Sequence, residues 1–110
     1  MATDASFADH VLDLASTIPG VRIRKMFGEY GLFVGNKTVA LICDNQVFLK
    51  VTDAGRALLQ EPLLGPPYPG AKDAFVLDDA LDDRDQFVRL LRATEAALPE
   101  PKPKKPRSPK

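Results

Sequence analysis

The segment Arg24-Lys25-Met26-Phe27-Gly28-Glu29-Tyr30-Gly31-Leu32-Phe33-Val34 decides how this chain is read. Cationic, aromatic and glycine residues crowd the entry to a stretch otherwise rich in β-formers. Gly28 and Gly31 bracket Glu29-Tyr30, so each is expected to mark a bulge, a kink or a close backbone approach. Packing and bending account for the aromatic and glycine residues without any ligand. Glu29 stands apart: a carboxylate between glycines is expected to face solvent or to pair with a nearby arginine.

Downstream of this segment, Gly35-Asn36 and Asp44-Asn45 are tight-turn pairs set among Val39, Ile42, Val47, Phe48 and Val51. Residues 21–51 therefore read as an antiparallel meander. Alternation groups Leu32 with Val34, Val39 with Leu41 and Cys43, and Val47 with Leu49 and Val51, each set on one face of its strand. The opposite positions include Ala40, Ile42 and Phe48, also apolar, so part of the second face is expected to be covered or functional.

Upstream, Phe7, Val11, Leu14, Ala15 and Ile18 recur at helical spacing and predict a helix over residues 6–17, capped by Asp4 or Ser6 with Asp9 completing a capping box. Pro19-Gly20 ends it. Beyond the meander, Thr52 or Asp53 caps a short helix over 53–60, which Gly55 weakens. Residues 61–72 hold Pro62, Pro66, Pro67 and Pro69 with Gly65 and Gly70, a density that predicts an ordered loop without regular structure, anchored by Tyr68. A short strand over 74–77 follows. Asp83 then caps a final helix with Gln86 at the reciprocal position and Phe87, Leu90, Leu91, Thr94 and Leu98 as its buried stripe.

Composition sets the outer bounds. A chain of 110 residues with 45% hydrophobic content makes one soluble domain, here residues 1–98, followed by a Pro/Lys-rich tail over 99–110. That tail has no core-forming residue and is expected to be disordered with local polyproline II character. The zero net charge conceals an asymmetry: residues 1–98 carry 10 Lys/Arg against 14 Asp/Glu, whereas 99–110 carry 5 against 1. Body and tail can attract each other at low salt. The single cysteine, the lack of an apolar run of membrane-spanning length and an N-terminus without basic residues lead to the expectation of a reduced, cytoplasmic setting.

No catalytic motif emerges. His10 lies on the first helix beside the apolar stripe, with no partner motif. Cys43 ends an apolar strand and reads as a small buried hydrophobe. The acidic group Asp78, Asp79, Asp82, Asp83 and Asp85 lacks a calcium-loop pattern and suits a helix N-terminus instead. Phosphate-loop and dinucleotide spacings are absent. The reading is therefore of no catalytic residues, no cofactor and no metal. Arg22 and Arg24 alternate with Val21 and Ile23 as a strand's solvent face does, with Lys25 beside them. Lys102, Lys104, Lys105, Arg107 and Lys110 are the candidates for weak, nonspecific polyanion contact.

The wording Arg-x-Met-Phe-Gly-x-Tyr-Gly-Leu-Phe-Val, continued by Gly35-Asn36-Lys37, Val39-Ala40-Leu41-Ile42 and Phe48-Leu49-Lys50-Val51, resembles the N-terminal domain of the TfoX/Sxy family over residues 5–98. The resemblance implies an α+β fold of two layers, an antiparallel β-sheet packed with helices. Some members regulate natural competence in bacteria together with a cyclic-AMP-responsive transcription activator, which implies a regulatory or adaptor role acting by protein interaction. The chain departs from the two-domain regulators where a proline- and lysine-rich tail stands in place of a helical second domain, and is similar to the short, single-domain branch. The expected contact surface joins Arg24, Lys25, Glu29 and Tyr30 to Tyr68. The expected partner is a protein, such as a component of the transcription machinery, with the chain a monomer or homodimer. The alternatives are a nucleic-acid-associated protein using its tail, and a ligand-binding domain or enzyme using a pocket beside the proline-rich loop.

Overall fold

A computed structural model describes residues 3–26, 29–59, 62–77 and 79–99. The elements run α1 (Ala5–Leu14), β1 (Val21–Met26), β2 (Glu29–Val34), β3 (Lys37–Cys43), β4 (Gln46–Leu49), α2 (Asp53–Leu58), β5 (Leu63–Gly65), β6 (Ala74–Leu77), a 3₁₀ turn (Asp79–Asp82) and α3 (Arg84–Ala97). The strands form one antiparallel sheet in the order β1-β2-β3-β4-β6-β5. The expected two-layer α+β architecture holds: the helices lie on one face of the sheet, and the other face is left to a loop.

Local chemistry sets the hairpins. Asp44 and Asn45, at φ 51° and 59°, both occupy the left-handed region that a two-residue hairpin turn of this kind requires. At the β2–β3 turn Gly35 carries a φ of 63°. The β2–β3 register then shifts between Leu32 and Phe33: Leu32 pairs with Ala40, but Phe33 pairs with Thr38, leaving Val39 as the extra residue of a bulge. Val39 and Ala40 are consequently both buried in the helix-side core, with Ile42 beyond them. This corrects the simple alternation, which grouped Val39 with Leu41 and Cys43. Cys43, together with Phe48, Ala74, Leu41 and Val76, belongs to a smaller apolar cluster on the open face.

The helices close the main core. Phe75 and Phe87 are fully buried, and burial of each such ring contributes roughly 1.5–3 kcal/mol. Asp83 caps α3 as expected, its Oδ1 accepting from the Gln86 amide at 3.2 Å. Thr52 caps α2, its hydroxyl accepting from Gly55 N–H at 2.9 Å. α1 differs from expectation. Its N-cap residue, Asp4, makes no side-chain cap bond, and its amide donates instead to Asn45 Oδ1 of the β3–β4 turn at 2.9 Å. The helix start is thus fixed by the sheet.

Gly55 does more than weaken α2. A Cβ there would stand only 3.0 Å from Thr52 Oγ1, the hydroxyl that caps the helix, and at an ordinary 3.5 Å from Thr94 Oγ1 of α3, so the glycine leaves room for the cap. Lys37, brought to the helix side by the bulge, donates to the Glu95 carbonyl at 2.9 Å and lies 3.6 Å from its carboxylate. The 61–72 segment also departs from expectation. Leu63–Gly65 is a strand, paired antiparallel with β6, its flanking prolines lying outside the paired residues where no ladder N–H is needed.

The Thr94 hydroxyl is fully buried and has no hydrogen-bond partner among the described residues. An unsatisfied buried hydroxyl costs about 1–3 kcal/mol. Thr94→Val, which keeps the branched shape and removes the polar atom, is expected to stabilise the domain by about 1 kcal/mol, measured as a higher urea midpoint with an unchanged slope.

Candidate functional site

The open face of the sheet carries a cavity of about 440 Å³. Leu41 and Cys43 of β3 contribute apolar and thiol surface, and Met26 at the end of β1 closes one side. Gly31 makes this arrangement possible: a Cβ there would meet Met26 Sδ at 2.6 Å and the Phe33 ring at 3.0 Å. The close approach expected of Gly31 is therefore real, whereas Phe27 and Gly28 lie outside the described residues. Glu29 and Tyr30 complete the strand-side wall, and Pro67 and Tyr68 cover it from the loop.

That loop turns back on itself at Tyr68-Pro69-Gly70-Ala71. The Ala71 amide donates to the Tyr68 carbonyl at 3.0 Å, and Gly70 has a φ of 89°. Proline followed by glycine at the two central positions is the sequence signature of a type II turn. Tyr68 is 56% exposed. It stands at the rim of the cavity rather than anchoring the loop deep in the body.

Glu29 is half-exposed, in keeping with a solvent-facing carboxylate, but it is not paired with an arginine among the described residues. Oε1 accepts from the Thr3 amide at 2.8 Å and Oε2 from the Asp44 amide at 3.3 Å, so backbone amides, rather than an arginine, engage it. The Thr3 hydroxyl accepts from Asn45 N–H at 3.2 Å. These bonds join the N-terminal segment, the start of β2 and the β3–β4 turn. Burial pushes the Glu29 carboxyl up, but the hydrogen bonds from Thr3 and from the Asp44 amide outweigh it and hold it below the usual glutamate range. The neighbouring Cys43 thiol is pushed up by burial and then by the Glu29 and Asp44 charges. A buried neutral thiol is a weak nucleophile.

Of the five surface residues expected from sequence, the fold gathers Glu29, Tyr30 and Tyr68 around one cavity. Arg24 and Lys25 do not line it; they are exposed on edge strand β1, in register with Gly31 and Tyr30. Arg22 lies over the Phe33 ring, 4.9 Å from its centroid. The tail residues Lys102, Lys104, Lys105, Arg107 and Lys110 lie outside the described residues. Sequence reading did not assign Met26, Leu41, Cys43 and Pro67 to the site. The apolar second face of β3 was the available signal. Among the described residues, His10 is exposed on α1, no group of three metal-ligating side chains is clustered, and no helix is long and apolar enough to cross a membrane.

These features define a small α+β domain with helices on one face of an antiparallel sheet and a loop-covered cavity on the other. The chain belongs to the TfoX N-terminal domain family, whose model matches residues 13–98. It is also 53% identical, over 105 residues covering 96% of this chain and 91% of the relative, to a protein of Spirochaeta aurantia named as an uncharacterized 12.7 kDa protein in the trpE 5' region.

Two outcomes follow from Glu29. Its folded-state pKa lies below its unfolded one, so the unfolded state binds more protons in acid; the stabilisation is present above the ordinary value of 4.5 and is lost as pH falls through the folded value. Urea unfolding across the acidic range is expected to show wild type more stable than Glu29→Gln near neutrality, with the gap closing on acidification. The same substitution removes a negative neighbour of Cys43. The pH profile of Cys43 alkylation, expected in wild type to rise above the ordinary thiol value of 9.0, should move to lower pH in the variant.

Proposed function

We propose that this chain is a non-catalytic regulatory or adaptor domain that acts by contact with a protein partner, in transcriptional control. Membership in the TfoX N-terminal domain family supports the regulatory part of this reading. The observation that carries the protein-contact part is the apolar exposure at the β5 edge. Leu63 is 61% and Leu64 44% exposed, on a strand that is outermost in the described sheet, and Tyr68 of the following loop is 56% exposed. Large exposed aliphatic and aromatic side chains beside a strand edge with unpaired backbone groups suit an extended segment of a partner. The three-residue length of β5 limits uncontrolled pairing along the same edge.

The test is affinity capture from a lysate of the native organism under nuclease treatment, with three full-length baits: wild type, Leu63→Asp, and a variant with Lys102, Lys104, Lys105, Arg107 and Lys110 changed to glutamine. The expected result is a transcription-machinery protein retained by wild type and by the tail variant, and lost from Leu63→Asp while that variant keeps the wild-type unfolding midpoint. Recovery only of material that disappears with nuclease and with the tail charges would replace this reading with nucleic-acid association.

A further inference from the structure

The cavity on the open face has a chemistry that the adaptor reading does not use. Its volume of about 440 Å³ falls within the roughly 300–1,000 Å³ of sites that enclose whole small molecules. Met26, Tyr30, Leu41 and Pro67 make its surface mostly apolar, and Tyr68 leaves it accessible at the rim. Among the described residues lining it, the Glu29 carboxylate is the one charged group.

That carboxylate is held in place and is not used up. A carboxylate offers about four acceptor positions, and the backbone amides of Thr3 and Asp44 take one on each oxygen. Both bonds favour the ionised form. The cavity thus holds a fixed negative charge beside an apolar surface. Cys43 lies on the same cavity wall, its thiol disfavoured as an anion first by burial and then by the Glu29 and Asp44 charges. A second anion entering here would meet the same penalty. A cation would be stabilised by Glu29, and the face of Tyr68 at the rim is the kind of surface that takes ammonium groups and aromatic rings.

We propose that this cavity is a binding site for a small organic cation with an apolar body: an amine on an aromatic or branched aliphatic frame, its ammonium group at Glu29 and its frame against Met26, Leu41, Pro67 and Tyr68. The site is independent of the β5 edge, and a free small molecule fills it better than a single protein side chain because the volume accommodates a whole ligand.

The test titrates the isotopically labelled full chain at neutral pH with four probes: phenylethylamine, the neutral phenylethanol, the anionic phenylpropionate, and Nα-acetyl-lysine methylamide as a stand-in for a partner's side chain. Amide shifts are followed by NMR and affinities by calorimetry. Phenylethylamine is expected to saturate a site that maps to Tyr30, Leu41, Cys43 and Tyr68, about tenfold or more tighter than phenylethanol, with phenylpropionate and the lysine analogue weaker than the amine. Glu29→Gln should remove the preference for the amine while leaving phenylethanol unchanged, and Tyr68→Ala should weaken both. Because Glu29 also braces the fold, a second measurement uses wild type alone: the affinity for the amine should fall as Glu29 protonates in acid, and that for the alcohol should not. Equal affinity for amine and alcohol, tighter binding of the carboxylate, shifts mapping elsewhere, or no saturation by any probe at millimolar concentration would overturn the proposal. Equal or tighter binding of the lysine analogue would overturn the free-ligand assignment in favour of a partner's side chain.

Discussion

The β2–β3 register, with its one extra residue at Val39, is the constraint on which the rest of this structure depends. A bulge breaks the period of two that otherwise assigns every strand residue to a face. Here it places both Val39 and Ala40 in the helix-side core and carries Lys37 to that same side, within reach of Glu95 on α3. On the far side of the bulge the alternation resumes, with Ile42 inward and Leu41 and Cys43 on the open face. The core and the cavity are therefore two consequences of one pairing.

The open face is shaped by a second constraint, the need to satisfy backbone amides at the end of the β3–β4 hairpin. Glu29 accepts from Thr3 and Asp44, Asn45 accepts from Asp4, and the Thr3 hydroxyl accepts from Asn45. A cluster of side chains thereby ties the chain's beginning to the middle of the sheet and sets the direction in which α1 starts. The same carboxylate gives the neighbouring cavity its charge. A bracing residue and a ligand-facing residue can be one group because a carboxylate has more acceptor positions than the two amides fill.

Much of this was legible where one residue's chemistry answers to its immediate neighbours. Asp44-Asn45 makes a tight hairpin turn, Thr52 and Asp83 cap their helices, and Phe87, Leu90, Leu91 and Thr94 form one buried stripe, all as short-range rules require. Leu63–Gly65 was not legible as a strand. Three residues between prolines carry no periodicity, and what makes them a strand is the partner β6 beyond the intervening loop. Gly55 looked like a weakness in a helix, but the absence of a Cβ there leaves room for the Thr52 hydroxyl that caps α2. Glu29 was legible as a charge facing solvent or an arginine, but its amide partners were not, because they lie 26 and 15 positions away along the chain.

By itself the sequence determined the α+β class, the meander and the caps of α2 and α3, and it marked Glu29 as a residue out of keeping with simple packing. Those properties follow from period, turn chemistry and hydrophobicity over a few consecutive residues. Only the tertiary structure decided that, of the five residues expected to form one surface, Glu29, Tyr30 and Tyr68 border a cavity with Met26, Leu41, Cys43 and Pro67, and that Arg24 and Lys25 do not. The location of the bulge and the return of the proline-rich loop over the open face determine that arrangement, and both depend on contacts between segments distant in the chain.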